Sequence, residues 1–107
     1  MTISGQVPKT VTRGTLTIDI LSSQAFYNGV DLLLTQKECA LLLLLTEHEN
    51  RAMSADYLYE KVWGQPANND ASAVKHQISN LRKKLEGCGC GYTVASSRGE
   101  GYTFKKE

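Results

Sequence analysis

The chain has 107 residues, of which 41% are hydrophobic and 21% charged, a composition that fits one folded domain and excludes a disordered chain. The net charge of +1 is unevenly distributed, because residues 1–70 carry five Lys/Arg and eight Asp/Glu whereas residues 71–107 carry seven and three. The basic last third predicts a polyanionic partner on one side of the molecule, although a solvated basic helix would give the same count.

The chain carries no signal of export or membrane insertion. Its N-terminus lacks the basic start and apolar core of a signal peptide, and its longest apolar run, residues 41–45, is far shorter than the roughly 20 residues of a membrane span. Three Cys residues cannot all be paired within one chain. We therefore expect a cytoplasmic protein with reduced thiols.

The first third predicts a tail followed by short strands. Residues 1–13 are polar and aperiodic and are expected to form a flexible tail or linker, so that the folded domain covers residues 14–106. Leu16, Ile18 and Ile20 alternate with polar residues, as in a half-buried strand. The dipeptide Asn28-Gly29 supplies the positive φ angles of a tight turn, so residues 25–34 predict a hairpin.

A capping box predicts the start of the first helix. Thr35 and Glu38 have the spacing at which each side chain satisfies the other's free backbone N–H, and the helix is expected to run to about Glu49. Its apolar stripe widens at Leu43 and Leu44, which are either ordinary core or an exposed contact patch.

A second helix is predicted over residues 55–63. Ser54 can cap it, and Gly64 and Pro66 end it. The loop from Gln65 to Asp70 follows, and Asn69 or Asp70 can cap a third helix over about residues 71–86.

The third helix has one apolar and one polar face. At about 100° per residue, its core stripe consists of Val74, Ile78, Leu81 and Leu85. The opposite face offers amide, imidazole, hydroxyl and cationic groups from Ser72, His76, Ser79, Asn80 and Lys83. Such donors can pair with bases in a DNA major groove, and Glu86 is the only acid between residues 71 and 99. A solvent-facing basic helix is the competing interpretation.

The last segment predicts a second hairpin. Residues 92–97 and 102–104 are rich in β-formers and flank Arg98-Gly-Glu-Gly101, whose glycines permit a tight tip. An Arg at a hairpin tip can reach a DNA minor groove. Because a surface Arg in a turn is common, Arg98 indicates DNA binding only in combination with the basic helix that precedes it.

These blocks, in this order, resemble the OmpR/PhoB-type winged-helix DNA-binding (effector) domain of bacterial two-component response regulators. The likeness rests on Leu34-Thr-x-x-Glu38 with the Leu residues after it, on Ser54 to Val62-Trp63-Gly64, and on Val74-x-x-x-Ile78-x-x-Leu81-Arg82-Lys83-Lys84-Leu85 followed by Arg98-Gly-x-Gly-Tyr102. Together the blocks span about residues 15–105.

The resemblance implies an α+β fold, with an N-terminal antiparallel β-sheet, three helices and a C-terminal β-hairpin wing. It implies transcription regulation within a phosphorelay, by sequence-specific binding of double-stranded DNA. The third helix would enter the major groove and Arg98 the minor groove, usually with a direct-repeat site and a dimer on DNA. The loop from Gln65 to Asp70 would contact RNA polymerase. No receiver domain is present, so we expect either an excised effector domain or a stand-alone regulator, monomeric without DNA.

Carried over position by position, the resemblance implies a DNA contact set of fourteen residues: Trp63, Ser72, Ala73, Lys75, His76, Gln77, Ser79, Asn80, Arg82, Lys83, Ser96, Arg98, Gly99 and Tyr102. Lys75, Arg82, Lys83, Lys84 and Arg98 would attract phosphates, and His76, Ser79 and Asn80 would read bases. The family often has Val-His at positions 76–77, Arg at 80 and an acid at 75. The base preference is therefore expected to be this chain's own.

Other chemistries have weaker support. Cys88 and Cys90 could share a metal or form a redox-sensitive disulfide, but zinc prefers four ligands and no second Cys pair exists. We therefore expect ordinary loop cysteines and no metal or cofactor. EDTA and reductant are expected to leave folding and DNA affinity unchanged. His48 and His76 lie in separate helices and no catalytic spacing is present, so no enzyme is expected. The alternative function is a protein-interaction winged helix with only non-specific DNA affinity.

Overall fold

The computed structural model describes residues 10–68 and 70–107. Four strands form an N-terminal antiparallel sheet in the order β1 (Thr10–Arg13), β2 (Leu16–Asp19), β3 (Gln24–Tyr27) and β4 (Val30–Asp31). The predicted tail over residues 1–13 is wrong for residues 10–13, which pair with β2 from Thr10 opposite Asp19 to Arg13 opposite Leu16. The rest of that predicted tail lies outside the described residues.

The Asn28-Gly29 turn is confirmed. Both residues have positive φ, +52° and +80°, as a two-residue hairpin turn requires. The strand after it is shorter than predicted, because β4 ends at Asp31 and the Leu32 amide makes only one more hydrogen bond to β3, to the Ala25 carbonyl. The Asp31 carboxylate accepts a hydrogen bond from the Leu33 amide, and Leu33 itself has a positive φ of +58°.

Helix α1 covers Gln36–Glu47 and begins with the predicted capping box. The Thr35 hydroxyl accepts from the Glu38 amide, and the Glu38 carboxylate accepts from the Thr35 amide. The helix ends before Glu49, with His48 as its C-cap. Leu43 and Leu44 are half-buried and pack against the core, which favours core over an exposed patch.

Helix α2 covers Ala55–Trp63, as predicted. The Ser54 hydroxyl accepts from the Tyr57 amide, and Gly64 ends the helix in the left-handed conformation with φ +74°. Trp63 stacks on Tyr59, with ring centroids 5.0 Å apart.

Helix α3 covers Ser72–Cys88 and is longer than predicted, because Gly87 continues the helix and Gly89 is the residue that adopts the left-handed C-cap. Its N-cap is Ala71, whereas Asp70 accepts hydrogen bonds from the Ser72 amide and hydroxyl. The predicted cap at Asp70 is therefore wrong in position, and Asn69 lies outside the described residues. The core stripe is confirmed, since its four apolar side chains are at most 1% exposed.

A hairpin of β5 (Tyr92–Ser97) and β6 (Gly101–Lys106) follows α3. The outer edge of β6 is also hydrogen-bonded. Met53 and Tyr102 exchange two backbone hydrogen bonds of 2.8 and 2.9 Å, and the Asn50 amide donates to the Phe104 carbonyl. The segment before α2 thus fixes the hairpin against the helices.

One core unites these elements. Leu16 and Ile18 from the sheet, the α1 and α3 stripes, Leu58 of α2 and Phe104 of the hairpin are all buried. The Glu38 carboxylate, which is 2% exposed, forms a 2.7 Å ion pair with the Lys84 amine. Among the described residues, no helix is long and apolar enough to cross a bilayer.

Candidate nucleic-acid interface

The outward face of α3 presents polar side chains to solvent. Ser72, Lys75, His76, Ser79 and Lys83 are exposed, while Ala73, Gln77, Asn80 and Arg82 are half-buried. The fully buried stripe on the opposite side holds the helix in place and gives these side chains fixed positions. A helix with side chains is about 10–12 Å across, which matches the roughly 12 Å width of the DNA major groove.

An open groove of about 520 Å³ lies where α3, the hairpin and the start of α2 meet. It brings together five residues of the predicted contact set: Lys75, Ser96, Arg98, Gly99 and Tyr102. Arg98 and Gly99 form the exposed tip, which the Glu100 amide closes by donating to the Ser97 carbonyl. The structure therefore places the hairpin tip next to the first turns of α3.

Ser54 and Ala55 also line this groove, and sequence reasoning assigned them no contact. They form the N-terminal end of α2, where unpaired amides and the helix dipole favour an anion. The capping pattern at Ser54 reveals this helix end in the sequence. Its position beside the wing could not be deduced, because the Met53–Tyr102 bridge joins residues 49 positions apart.

Gly101 permits this close approach. A Cβ atom at Gly101 would lie 2.0 Å from the Met53 carbonyl oxygen, and the residue has a φ of +112°. Only glycine fits here, because both the space and the backbone conformation exclude a side chain. Gly99 at the tip also has a positive φ, +80°, but a Cβ there would meet nothing within 4 Å.

Arg82 makes contacts that the sequence did not predict. Its Nε donates to the Val94 carbonyl at 2.8 Å, and its Nη2 donates to the Ser96 hydroxyl at 2.9 Å. Both acceptors lie on β5, so Arg82 connects α3 to the hairpin. Its guanidinium is thus engaged within the protein, although part of the side chain is accessible.

Lys84, expected to attract phosphates, is engaged on the α1 side. Its amine donates to the Glu38 carboxylate and to the Leu33 carbonyl. The only other ion pair within the described residues joins Arg13 to Glu49. Within the described residues, four of the five predicted phosphate contacts therefore form no ion pair: Lys75, Arg82, Lys83 and Arg98. Of these, Arg82 is already hydrogen-bonded to neutral acceptors on β5.

The remaining predicted residues differ in their settings. Trp63 lies outside the groove, stacked on Tyr59, with the Lys37 amine 5.2 Å from its ring centroid. Tyr102 is half-buried and bonds through its backbone to Met53. The Gln77 side-chain oxygen is buried and has no hydrogen-bond partner in the part of the chain that the structure describes.

Comparison with known proteins identifies the family that the sequence motifs resemble, and the matches cover most of the chain. The family model for "Transcriptional regulatory protein, C terminal" matches residues 29–104. PrrA of Mycobacterium tuberculosis is 37% identical over 99 residues, covering 92% of this chain and 42% of PrrA. The two-component response regulator PhoP of Pseudomonas aeruginosa is 31% identical over 101 residues, covering 94% of this chain and 45% of PhoP. The chain thus spans less than half the length of these relatives.

Solved structures agree with this result. The RstA DNA-binding domain of Klebsiella pneumoniae, in complex with the RstA box, has a TM-score of 0.78 and 30% identity, covering 92% of this chain and 98% of that domain. The DNA-binding domain of CpxR from E. coli has a TM-score of 0.76 and 29% identity, covering 91% and 96%. Fold, groove and likeness together show that this chain belongs to the OmpR/PhoB-type C-terminal DNA-binding domains of transcriptional regulatory proteins.

Proposed function

We propose that the chain binds double-stranded DNA in a sequence-specific manner, with α3 in the major groove and the tip of the β5–β6 hairpin in the adjacent minor groove. The observation that supports this best is the shared groove, which both Lys75 of α3 and Arg98 of the hairpin tip line. In DNA, a sugar-phosphate backbone separates the major groove from the adjacent minor groove. If that backbone lies along the groove on the protein surface, α3 enters the major groove on one side and the hairpin tip enters the minor groove on the other.

The exposed and half-buried polar residues of α3 divide by chemistry. Asn80 can form two hydrogen bonds with adenine, and His76 and Ser79 can donate to or accept from base edges. Ser72, Ala73 and Gln77 flank these readers. For Gln77, the buried oxygen leaves the amide hydrogens as the groups that can face a base.

A second set of residues positions the DNA backbone. The cations of Lys75, Lys83 and Arg98 supply salt-sensitive attraction, and the Ser96 hydroxyl and Gly99 amide offer neutral donors. In this proposal Arg82 orients the hairpin rather than binding phosphate alone. Tyr102 braces the hairpin, and Trp63, the last residue of α2, lies near the DNA backbone in this proposal.

The wider role follows the relatives. We propose that the chain acts in the cytoplasm as the effector part of a two-component response regulator, with a phosphorylated receiver domain as its activating partner. On DNA, two copies would occupy a direct-repeat site, and the isolated chain would be monomeric. The loop from Gln65 to Asp70, which begins with the exposed residues Gln65 and Pro66, is proposed to contact RNA polymerase.

Selection of bound sequences from a random DNA pool tests this function directly, followed by titration at two salt concentrations. We expect enrichment of a repeated motif with half-sites about one helical turn apart. Weak binding that vanishes as salt rises, without enrichment, would contradict the proposal and favour the protein-interaction alternative. A parallel selection with Asn80→Ala shows which base α3 reads through this residue, because the enrichment of that base should be lost in the variant.

A further inference from the structure

Cys88 and Cys90 lie at the joint between α3 and the hairpin. Cys88 is the last residue of the helix, Gly89 is its left-handed cap, and Cys90 precedes β5. Both are free thiols and half-buried, whereas the third cysteine, Cys39, is buried in α1. The DNA interface does not use either of them.

The two thiols converge on one atom. The Cys88 sulfur lies 3.2 Å and the Cys90 sulfur 3.8 Å from the carbonyl oxygen of Leu85. The backbone explains this convergence, because Gly89 at φ +72° and ψ +30° is close to the mirror image of a helical residue. Two Cα atoms that flank a residue of helical geometry, of either hand, lie about 5.4 Å apart. The cysteines therefore present a pair of sulfurs on one side of the turn.

The ligand set restricts the ion that can bind. Within residues 10–68 and 70–107, no group of three or more His, Cys, Asp or Glu side chains could hold a metal. Zinc would need four ligands and calcium or magnesium would need oxygen atoms. Two thiolates without a third ligand suit a soft monovalent cation, of which Cu(I) is the example that cells contain.

We propose that Cys88 and Cys90 form a two-coordinate site for Cu(I). The two S–H bonds break, two S–Cu bonds form, and two protons leave to solvent. Copper stays Cu(I), so no oxidant or reductant takes part. The sulfurs exchange their hydrogen bonds to the Leu85 and Tyr92 carbonyls for the metal. This site is independent of the proposed DNA contacts.

Anaerobic titration of the reduced chain with Cu(I), in competition with a chromogenic Cu(I) chelator, tests the site. We expect one Cu(I) per chain, release of two protons, and loss of thiol reactivity at Cys88 and Cys90, the two cysteines that are not fully buried. Cys88→Ser and Cys90→Ser should each weaken binding at least tenfold. Cys39→Ala, the matched control that removes a thiol elsewhere, should bind like the parent.

Four results would overturn the proposal. The first two are a Cu(I) affinity equal to the parent's in Cys88→Ser or Cys90→Ser, and weakened Cu(I) binding in Cys39→Ala. The other two are a stoichiometry of one Cu(I) shared between two chains, and Zn(II) binding as tight as Cu(I) binding. Rapid conversion of Cys88 and Cys90 into a disulfide, with no uptake of Cu(I), would equally contradict it. Ag(I), which does not change oxidation state under these conditions, should reproduce the Cu(I) stoichiometry.

Discussion

The Arg82 guanidinium donates a 2.8 Å hydrogen bond to the carbonyl oxygen of Val94, twelve residues further along the chain. Together with the bond to the Ser96 hydroxyl, this contact fixes the angle between α3 and β5. The angle determines where Arg98 lies when α3 occupies a major groove. Arg82 is thus suited to act as a positioning residue.

Arg82→Ala should reduce the contribution of Arg98 to DNA binding. In a double-mutant cycle, we expect a coupling of about 1 kcal/mol between Arg82→Ala and Arg98→Ala, because a misplaced wing loses its contact in either case. Fluorescence anisotropy with a selected DNA site measures it. Strict additivity of the two changes would show that Arg82 acts only as an independent phosphate contact. Ser96→Ala, which removes one acceptor, should show a smaller coupling.

Asn80→Ala should relax base specificity at one position of the selected site. Loss of a bidentate contact with adenine costs roughly 1–3 kcal/mol against the preferred base and little against the others. Binding to a panel of single-base variants measures the effect. Gln36→Ala, which truncates an exposed amide side chain on α1, is the control and should leave the panel unchanged. An unaltered preference in Asn80→Ala would remove this residue from the readers.

Arg98→Ala should weaken binding and reduce the salt dependence by about one phosphate contact. Lys106→Ala is a matched loss of one charge at the other end of the same hairpin, opposite Tyr92. Six residues of strand place it about 17 Å or more from the tip. Plots of affinity against salt concentration should therefore differ in slope for Arg98→Ala but not for Lys106→Ala. Equal slopes in both variants would contradict the proposed role of the tip.

Gly101→Ala should destabilise the fold by about 2 kcal/mol or more. The new Cβ would collide with the Met53 carbonyl, and the positive φ adds strain. Gly99→Ala is the control for the φ effect alone, with an expected cost of about 1 kcal/mol, since its Cβ would meet open space. Urea denaturation gives both values. Equal costs would mean that the close approach at Met53 relaxes easily.

The Glu38–Lys84 pair should stabilise the domain. Glu38→Gln keeps an acceptor for the Thr35 amide but removes the charge, and Lys84→Met removes the cation. We expect a coupling of about 2 kcal/mol between these changes, in line with a charged hydrogen bond to a buried carboxylate. Unfolding free energies of the single and double variants measure it. A coupling near zero would show that solvent screens the pair.

Local signals predicted the helices well. The Thr35–Glu38 capping box, the Ser54 cap and the Gly64 stop act within a few residues, so the sequence alone revealed them. The end of α3 was misplaced because two glycines compete there, and only the structure shows that Gly89, not Gly87, takes the left-handed conformation. Strand β1 was missed because its stability comes from pairing with β2, not from its own composition.

The two faces of α3 were predictable because both lie on one helix. The periodicity of α3 alone separated the buried stripe from the polar face. The contacts of Arg82 and Lys84 could not be predicted from the sequence, because their partners are distant along the chain. The Val94 carbonyl lies 12 residues from Arg82, and the Glu38 carboxylate lies 46 residues from Lys84. A cation in a basic segment looks available for DNA until its acceptor is known.

The backbone bonds from Asn50 and Met53 to β6 also have a consequence during synthesis. The segment before α2 obtains these partners only from Tyr102 and Phe104, about fifty residues later. A nascent chain that stops at Cys88 would already contain all three helices but lack the strand that holds α2 against the wing. The helix-turn-helix should therefore reach its final geometry only after residues 102–104 have left the ribosome.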